Sequence, residues 1–397
     1  MARLNRVNFF GYIAAKPGRI AVLDGLRALA ILLVLFRHGA ISLQYSYPVI
    51  YSDVVGETFS NWMLNGWVGV DLFFVLSGFL LGYHLIRSWS QGNGSRVLFF
   101  GKYWLKRILR TFPLYYVVIL IVALNIVPLY EHSSENLQGE LIKHVLFLQD
   151  YYGTNLLTPL WSLATEEKFY LICPLLLWGI MKLHSINKNY ALITLMALCL
   201  IPMVLRLNSY EGGADMSYST FFWSYRAPFH LALDGLLMGL LVAYIYSFKL
   251  IDKTVKRFAN IIFFTTFLVS TLVMSVYPWM SETSDWLLTI VALFIIPILF
   301  SILIYFAIFT TGQVSKILGS VFLRFISRIS YSLYLVHMLV IPLSLWLLNV
   351  LIMPRFEVAL AFISYFVIYI LMSILFSVAL HVLVERPFLV LKSKIAY

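Results

Sequence analysis

In the stretch LDGLRALAILLVLFRHG, four ionisable side chains, Asp24, Arg27, Arg37 and His38, interrupt a run that is otherwise apolar. A charge near the centre of a bilayer costs on the order of 2.5–3.5 kcal/mol on insertion scales, so several in one hydrophobic run need a reason. Arg27 and His38 are eleven residues apart. In a helix, at ~100° per residue, they differ by about 20° in azimuth and lie ~16 Å apart along the axis. They share one face, and that face would line a polar path through the membrane, with Asp24 at its start. The competing reading is a buried Asp24–Arg27 pair at i, i+3 with a structural histidine.

Histidine, with an unperturbed pKa of about 6.5, is the side chain best suited to proton transfer near neutrality, so His38 is a candidate general base. A carboxylate would orient it, and TPLWSLATEEKFYLICPLLL supplies Glu166 and Glu167 at the start of a helix. The alternative for these two is an acidic pair favoured there by the helix dipole. In YWLKRILRTFPLYY, Arg107 and Arg110 fall at i, i+3 on one helical face with Lys106 beside them. The planar guanidinium fork grips phosphate well, so a phosphorylated ligand fits this cluster; anchoring to anionic lipid heads is the rival.

Several other polar groups sit in apolar runs. Asp71 and Ser77 read as path lining, although helix packing through SGF and FLLG would also account for them. Tyr331 and His337, with Tyr334 in a later run, also read as path lining, with an interhelical hydrogen-bond network as the alternative. Arg226, His230 and Asp234 in YRAPFHLALDG, with His230 and Asp234 at i, i+4, fit an interhelical hydrogen-bond network. Glu385, Arg386 and Pro387 read as a helix stop.

The elements that must hold these groups follow from composition. Of 397 residues, 61% are hydrophobic and 12% charged, and mean hydropathy is +0.88, against roughly 45–50% apolar and about 25% charged in soluble domains. The solvent is lipid. The net charge of +11 does not point to nucleic acid, because Lys and Arg fall in short clusters between apolar runs. Cys173 and Cys199, both in apolar stretches, support neither a disulfide framework nor a thiolate metal site, and no metal is expected.

A crossing helix needs about 20 mostly apolar residues. Runs near 22–43, 66–86, 111–130, 158–181, 190–206, 228–248, 258–277, 285–309, 329–350 and 358–384 qualify, giving an all-α integral membrane protein of about ten spans. The first is no cleavable signal, given its four ionisable residues. With the N-terminus inside, 22 of the 29 Lys and Arg residues fall on cytoplasmic segments. The outer loops hold only Lys143, Arg206, Arg226 and Arg355, and collect Asp53, Glu57, Glu131, Glu135, Glu140, Asp150, Glu211 and Asp215. The positive-inside rule therefore puts both termini in the cytoplasm. One membrane domain, 22–388, is expected between a cytoplasmic segment 1–21 and a tail 389–397.

Taken in order, the Arg27 to His38 spacing, GWVGVDLFFVLSGFLLG at 66–82, the Arg-x-x-Arg of 107–110, LWSLATEEKFYL at 160–171, RISYSLYLVH at 328–337 and VERPF at 384–388 resemble the acyltransferase 3 family of integral-membrane O-acyltransferases. The resemblance runs from about residue 22 to 388. It implies transfer of an acyl group, usually acetyl, from cytoplasmic acyl-CoA (a co-substrate; no bound cofactor) to a hydroxyl of an extracytoplasmic or lipid-linked carbohydrate such as a polysaccharide or lipopolysaccharide, in a bacterial-type inner membrane. His38 would be the base or acyl relay with Glu166 or Glu167 as partner, and Arg27, Lys106, Arg107 and Arg110 would serve the donor. Some family members carry a fused extracytoplasmic hydrolase-like domain. None follows here before Tyr397, so delivery to the acceptor is expected from this chain or a separate partner. The rival from another class is a secondary transporter using His38 and Glu166 as a proton relay.

Overall fold

The computed structural model describes residues 20–90, 96–210, 216–279, 285–352 and 357–395. The basic residues Arg3, Arg6, Lys16 and Arg19, the loop residues Glu211, Asp215 and Arg355, and the last two residues of the tail lie outside them. Among the described residues there is no strand.

The principal helices are α1 (Ala21–Ser46), α2 (Val68–Ser90), α3 (Arg96–Ala123), α4 (Leu137–Val145), α5 (Trp161–Ile186), α6 (Lys188–Ser209), α7 (Asp234–Ser247), α8 (Ala259–Val276), α9 (Trp286–Ala307), α10 (Val321–Val336), α11 (Ile341–Leu347), α12 (Val358–Leu380) and α13 (Arg386–Ser393). Side-chain caps from Asn136, Asn187, Asp285 and Ser320 satisfy amide groups at the starts of α4, α6, α9 and α10. Proline opens α11 and α13 near the first turn, where its missing N–H costs nothing.

Among the described residues, seven helices are long and apolar enough to cross a membrane, or eight if α10 and the Ile341–Ile352 segment, bent by 90°, count as one broken span. The ten expected runs and these helices differ in physical ways. The run 111–130 belongs to α3, which begins at Arg96 because the basic, amphipathic 96–110 segment continues the same helix, and which ends at Ala123. The run 228–248 yields only the 14-residue α7. The expected stop at Glu385–Pro387 is instead a wide turn. Residues His381–Glu385 adopt π-helical geometry and α13 continues beyond them. A widened turn makes room for the Pro387 ring, which in a regular helix would clash with the carbonyl four residues earlier.

The first helix is central, packing against α2, α9, α10 and α12. The closest crossing joins α2 to α7. A Cβ on Gly78 would lie 2.1 Å from the Leu236 carbonyl oxygen, and one on Gly239 would lie 2.3 Å from the Val75 carbonyl oxygen. Small residues at such crossings let backbones touch, which is how helices associate where lipid is as apolar as leucine. By contrast α6, α8 and α12 turn Ile193, Leu200, Phe264, Leu371 and Leu375 outward.

The segment between α3 and α5 folds back on itself through Glu140. Its carboxylate accepts from Lys143 Nζ (2.6 Å), Thr154 Oγ1 (2.9 Å) and the Asn155 amide (3.2 Å). Burial alone would raise this carboxyl, but those hydrogen bonds outweigh it and hold it below the usual carboxylate range. Gln149 Nε2 donates to Tyr115 Oη (3.0 Å) and to the Leu160 carbonyl (2.9 Å), fixing the start of α5.

Gly239→Ala should lower stability by about 1–3 kcal/mol through overpacking, read as a lower thermal midpoint in detergent. Gly179→Ala, at a position with open space around it, should leave the midpoint unchanged. Because the folded pKa of Glu140 is depressed, its contribution is complete above the ordinary carboxylate pKa and lost as pH falls through the folded value. Hydrogen exchange of residues 137–155 should accelerate on acidification, and Glu140→Gln should remove that acid dependence.

Candidate active site

Helices α1, α2, α3, α5, α10 and α13 enclose a cavity of about 720 Å³. The basic residues singled out by type and spacing converge on it: Arg27 from α1 and Lys106, Arg107 and Arg110 from α3. The Arg107 guanidinium lies over the Tyr103 and Tyr170 rings, 5.6 Å from each centroid, which fixes its plane. Its buried Nε has no hydrogen-bond partner among the described residues. Ser77 and Glu166 line the same wall, the Ser77 hydroxyl sharing a 2.8 Å hydrogen bond with Tyr170 Oη and both hydroxyls lying beside the Glu166 carboxyl. Tyr331 also lines the cavity and donates to the Thr111 carbonyl oxygen (2.7 Å), tying α10 to α3.

Farther along α1, beyond the cavity wall, the two histidines meet. His337 Nε2 and His38 Nδ1 are 3.2 Å apart, and the ring centroids 4.8 Å. The intervening wall is Tyr334, whose hydroxyl donates to the Pro159 carbonyl (2.7 Å) and shares a 2.5 Å hydrogen bond with Ser162. Both Tyr334 and Ser162 face the cavity.

Carbonyl oxygens only accept, and this assigns the protons. His337 Nδ1 lies 2.8 Å from the Tyr334 carbonyl, so it carries the hydrogen and leaves Nε2 as an acceptor. His38 Nδ1 lies 2.9 Å from the Val34 carbonyl and therefore also carries a hydrogen, shared between Val34 and the His337 acceptor. The lone pair of His38 is left on Nε2, which has no partner among the described residues. A neutral imidazole so held is set to take a proton at one defined atom.

Other expectations are corrected. The ring partner of His38 is a histidine; neither Glu166 nor Glu167 bonds it. Glu166 looks into the cavity instead, and Glu167 lies beside Thr111 without lining it. Asp71 does not line the path, because it is buried in an ion pair with Arg226 (2.8 Å). Asp24 and His337 stand behind the wall as well, Asp24 accepting from Ser327 Oγ (3.2 Å), whose residue does line it.

Asp234 takes a bidentate pair with Arg206 (2.7 Å and 2.7 Å) rather than His230, and His230 Nδ1 meets Tyr151 Oη (3.0 Å). Arg206 and Arg226, assigned by sequence to outer loops, are buried, 0% and 2% exposed. Arg226 and Asp234 thus each take part in a separate buried ion pair, with Asp71 and Arg206.

Residues that sequence reasoning left aside also face the cavity. Glu385 accepts from Ser332 Oγ (2.7 Å) and His381 Nδ1 (2.8 Å), and His84, Arg328 and Lys392 line the wall. Lys392 was legible only as a basic residue near a helix end, where anchoring explains it equally well, and Glu385 only as part of a helix stop. Cys173 and Cys199 are buried and free.

A family model described as an acyltransferase domain matches residues 20–382. The chain is 29% identical over 248 residues to the peptidoglycan O-acetyltransferase OatA of Listeria monocytogenes, covering 59% of this chain and 35% of that one. It is 32% identical over 209 residues to YrhL of Bacillus subtilis, provisionally named a peptidoglycan O-acetyltransferase, covering 49% and 29%. A provisionally named O-acetyltransferase of Staphylococcus aureus is 25% identical over 343 residues, covering 81% and 50%. The chain thus spans half or less of the length of these curated relatives. No solved structure matches. With its helical membrane architecture and a match over nearly its whole length, this chain belongs to the acyltransferase 3 family.

Proposed function

We propose that the protein is a multi-pass O-acyltransferase that takes an acyl group, acetyl by preference, from acyl-CoA on the cytoplasmic side and places it on a hydroxyl of an extracytoplasmic or lipid-linked carbohydrate. The observation that carries this reading is the order of groups along α1 and the cavity beside it. A basic cluster of Arg27, Lys106, Arg107 and Arg110 lines the cavity and in this reading forms its mouth, and the His38–His337 pair lies farther along the helix that carries Arg27. Phosphates held at the mouth leave an extended thioester arm to cover the ~16 Å rise between Arg27 and His38. The names of the relatives support acetyl as the group and a cell-wall glycan as the class of acceptor.

The chemistry needs one proton moved twice. As the sugar oxygen attacks the thioester carbonyl, His38 Nε2 takes the hydroxyl proton. The tetrahedral intermediate collapses, the C–S bond breaks, and the same proton passes to the departing thiolate. The products are an O-ester and free CoA. His337 is a positioning residue here: its Nε2 accepts the shared Nδ1–H of His38 and so keeps the reactive lone pair on Nε2. A mouth on the cytoplasmic side agrees with the positive-inside rule, which also favours cytoplasmic termini. A full set of ten crossings would include α3 and the short α7, and the family's setting argues for the inner membrane of a bacterium.

Membranes bearing the intact protein should pass label from acetyl-CoA into surface glycan, and His38→Ala should lower the rate by about 10²–10⁴-fold, the span typical of a lost general base. Equal labelling by the two would remove His38 from the chemistry. Label carried across the membrane without O-acylated product would favour the transporter.

His337→Gln, whose amide oxygen can accept from His38, should keep most of kcat, whereas His337→Ala should lose about 10–100-fold with little change in donor KM. A structural role alone would leave the two variants alike.

A further inference from the structure

Six Lys and Arg and two Glu side chains line the cavity, a formal excess of four positive charges. Part of that excess comes from Lys392, which lies beyond the last of the family's motifs. Helix α13 turns Leu389 and Lys392 into the cavity, on the face that continues from Glu385 at i, i+4 and i+7. Its start is fixed, because Glu385 is held by Ser332 and His381 at 2.7 and 2.8 Å. Its flank packs on α3, the helix that carries Lys106, Arg107 and Arg110. The charged groups that act most strongly on Lys392 are cations, Arg110 first, then Arg107, Lys106 and Arg27.

A lysine ammonium buried beside four other cations is costly to hold, and a polyanion entering the cavity would offset that cost. A nucleotide thioester with one diphosphate and one phosphomonoester carries roughly four negative charges near neutrality, since the second ionisation of a phosphomonoester lies near pH 6. That charge matches the excess. The division of labour follows from side-chain chemistry. The stacked, planar Arg107 with Arg110 suits the paired oxygens of a diphosphate, and the compact ammonium of Lys392 suits the dianionic monoester.

We propose that Lys392 completes a phosphate subsite with Arg107 and Arg110, and that it reads the phosphomonoester of the donor's nucleotide. The inference rests on the proposed function and names a determinant of that same site. A lipid phosphate could satisfy the same chemistry, so the test separates the two sources.

Equilibrium binding of acetyl-CoA and 3′-dephospho-acetyl-CoA would be measured on the full chain, in nanodiscs of phosphatidylcholine and of phosphatidylglycerol. Wild type should prefer the phosphorylated donor by about tenfold, or 1.4 kcal/mol. In Lys392→Gln the preference should fall to about one, with dephospho-donor affinity unchanged, and Lys392→Arg should restore it. A preference undiminished in Lys392→Gln overturns the inference and leaves the donor reading intact. So does a loss confined to phosphatidylglycerol discs, which would make Lys392 a headgroup contact. A wild type that binds neither donor overturns the donor reading itself.

Discussion

A bilayer supplies no partner for a buried charge, and the arrangement of this protein follows from that constraint. Where two charges can meet, they are buried together and join helices far apart in sequence. Arg226 reaches Asp71 of α2, and Arg206 of α6 grips Asp234 at the start of α7 while also donating to the Leu231 carbonyl (2.5 Å). Arg37 ends on the Leu64 carbonyl and on Tyr218 Oη (3.2 Å), pinning the segment that precedes α2. Buried pairs of this sort are expensive to break, about 3–5 kcal/mol when one partner is removed, because the other is left uncompensated. Arg107, Arg110 and Lys392, which have no ion-pair partner among the described residues, face the cavity instead. Charge placement thus divides the polar residues into those that hold the helices together and those available to a ligand.

Much of this division was legible in the sequence, but unevenly. The membrane class followed from composition, and the four basic residues that meet at the cavity followed from helical spacing, because i, i+3 on α3 and the azimuth along α1 are local geometry. Asp71 was misread for lack of its partner, since Arg226 lies 155 residues away. The partner of His38 was missed for the same reason. His337 is 299 residues distant, and nothing in RISYSLYLVH states which face of which helix it will meet. The count of spans was legible only to the extent that helices are straight and uniformly apolar, and α3, α7 and the α10–α11 pair are not.

Several of the departures from regular helix fall beside the polar groups. Among the described residues three stretches adopt π-helical geometry: Phe222–Arg226, Leu348–Ile352 and His381–Glu385. The first ends on the arginine that neutralises Asp71, and the last ends on the glutamate that faces the cavity. The break after α10 falls at His337. At membrane depth such irregular backbone survives only where protein covers it or a cavity receives its polar groups, so each irregularity marks a place where that requirement is met. Apolar periodicity cannot report these positions, because a widened turn changes the azimuth of every residue after it. Leu389 and Lys392 reach the cavity through that change of azimuth. A straight continuation of α12 would have carried them to another face, and the α3 cluster would lack its facing cation.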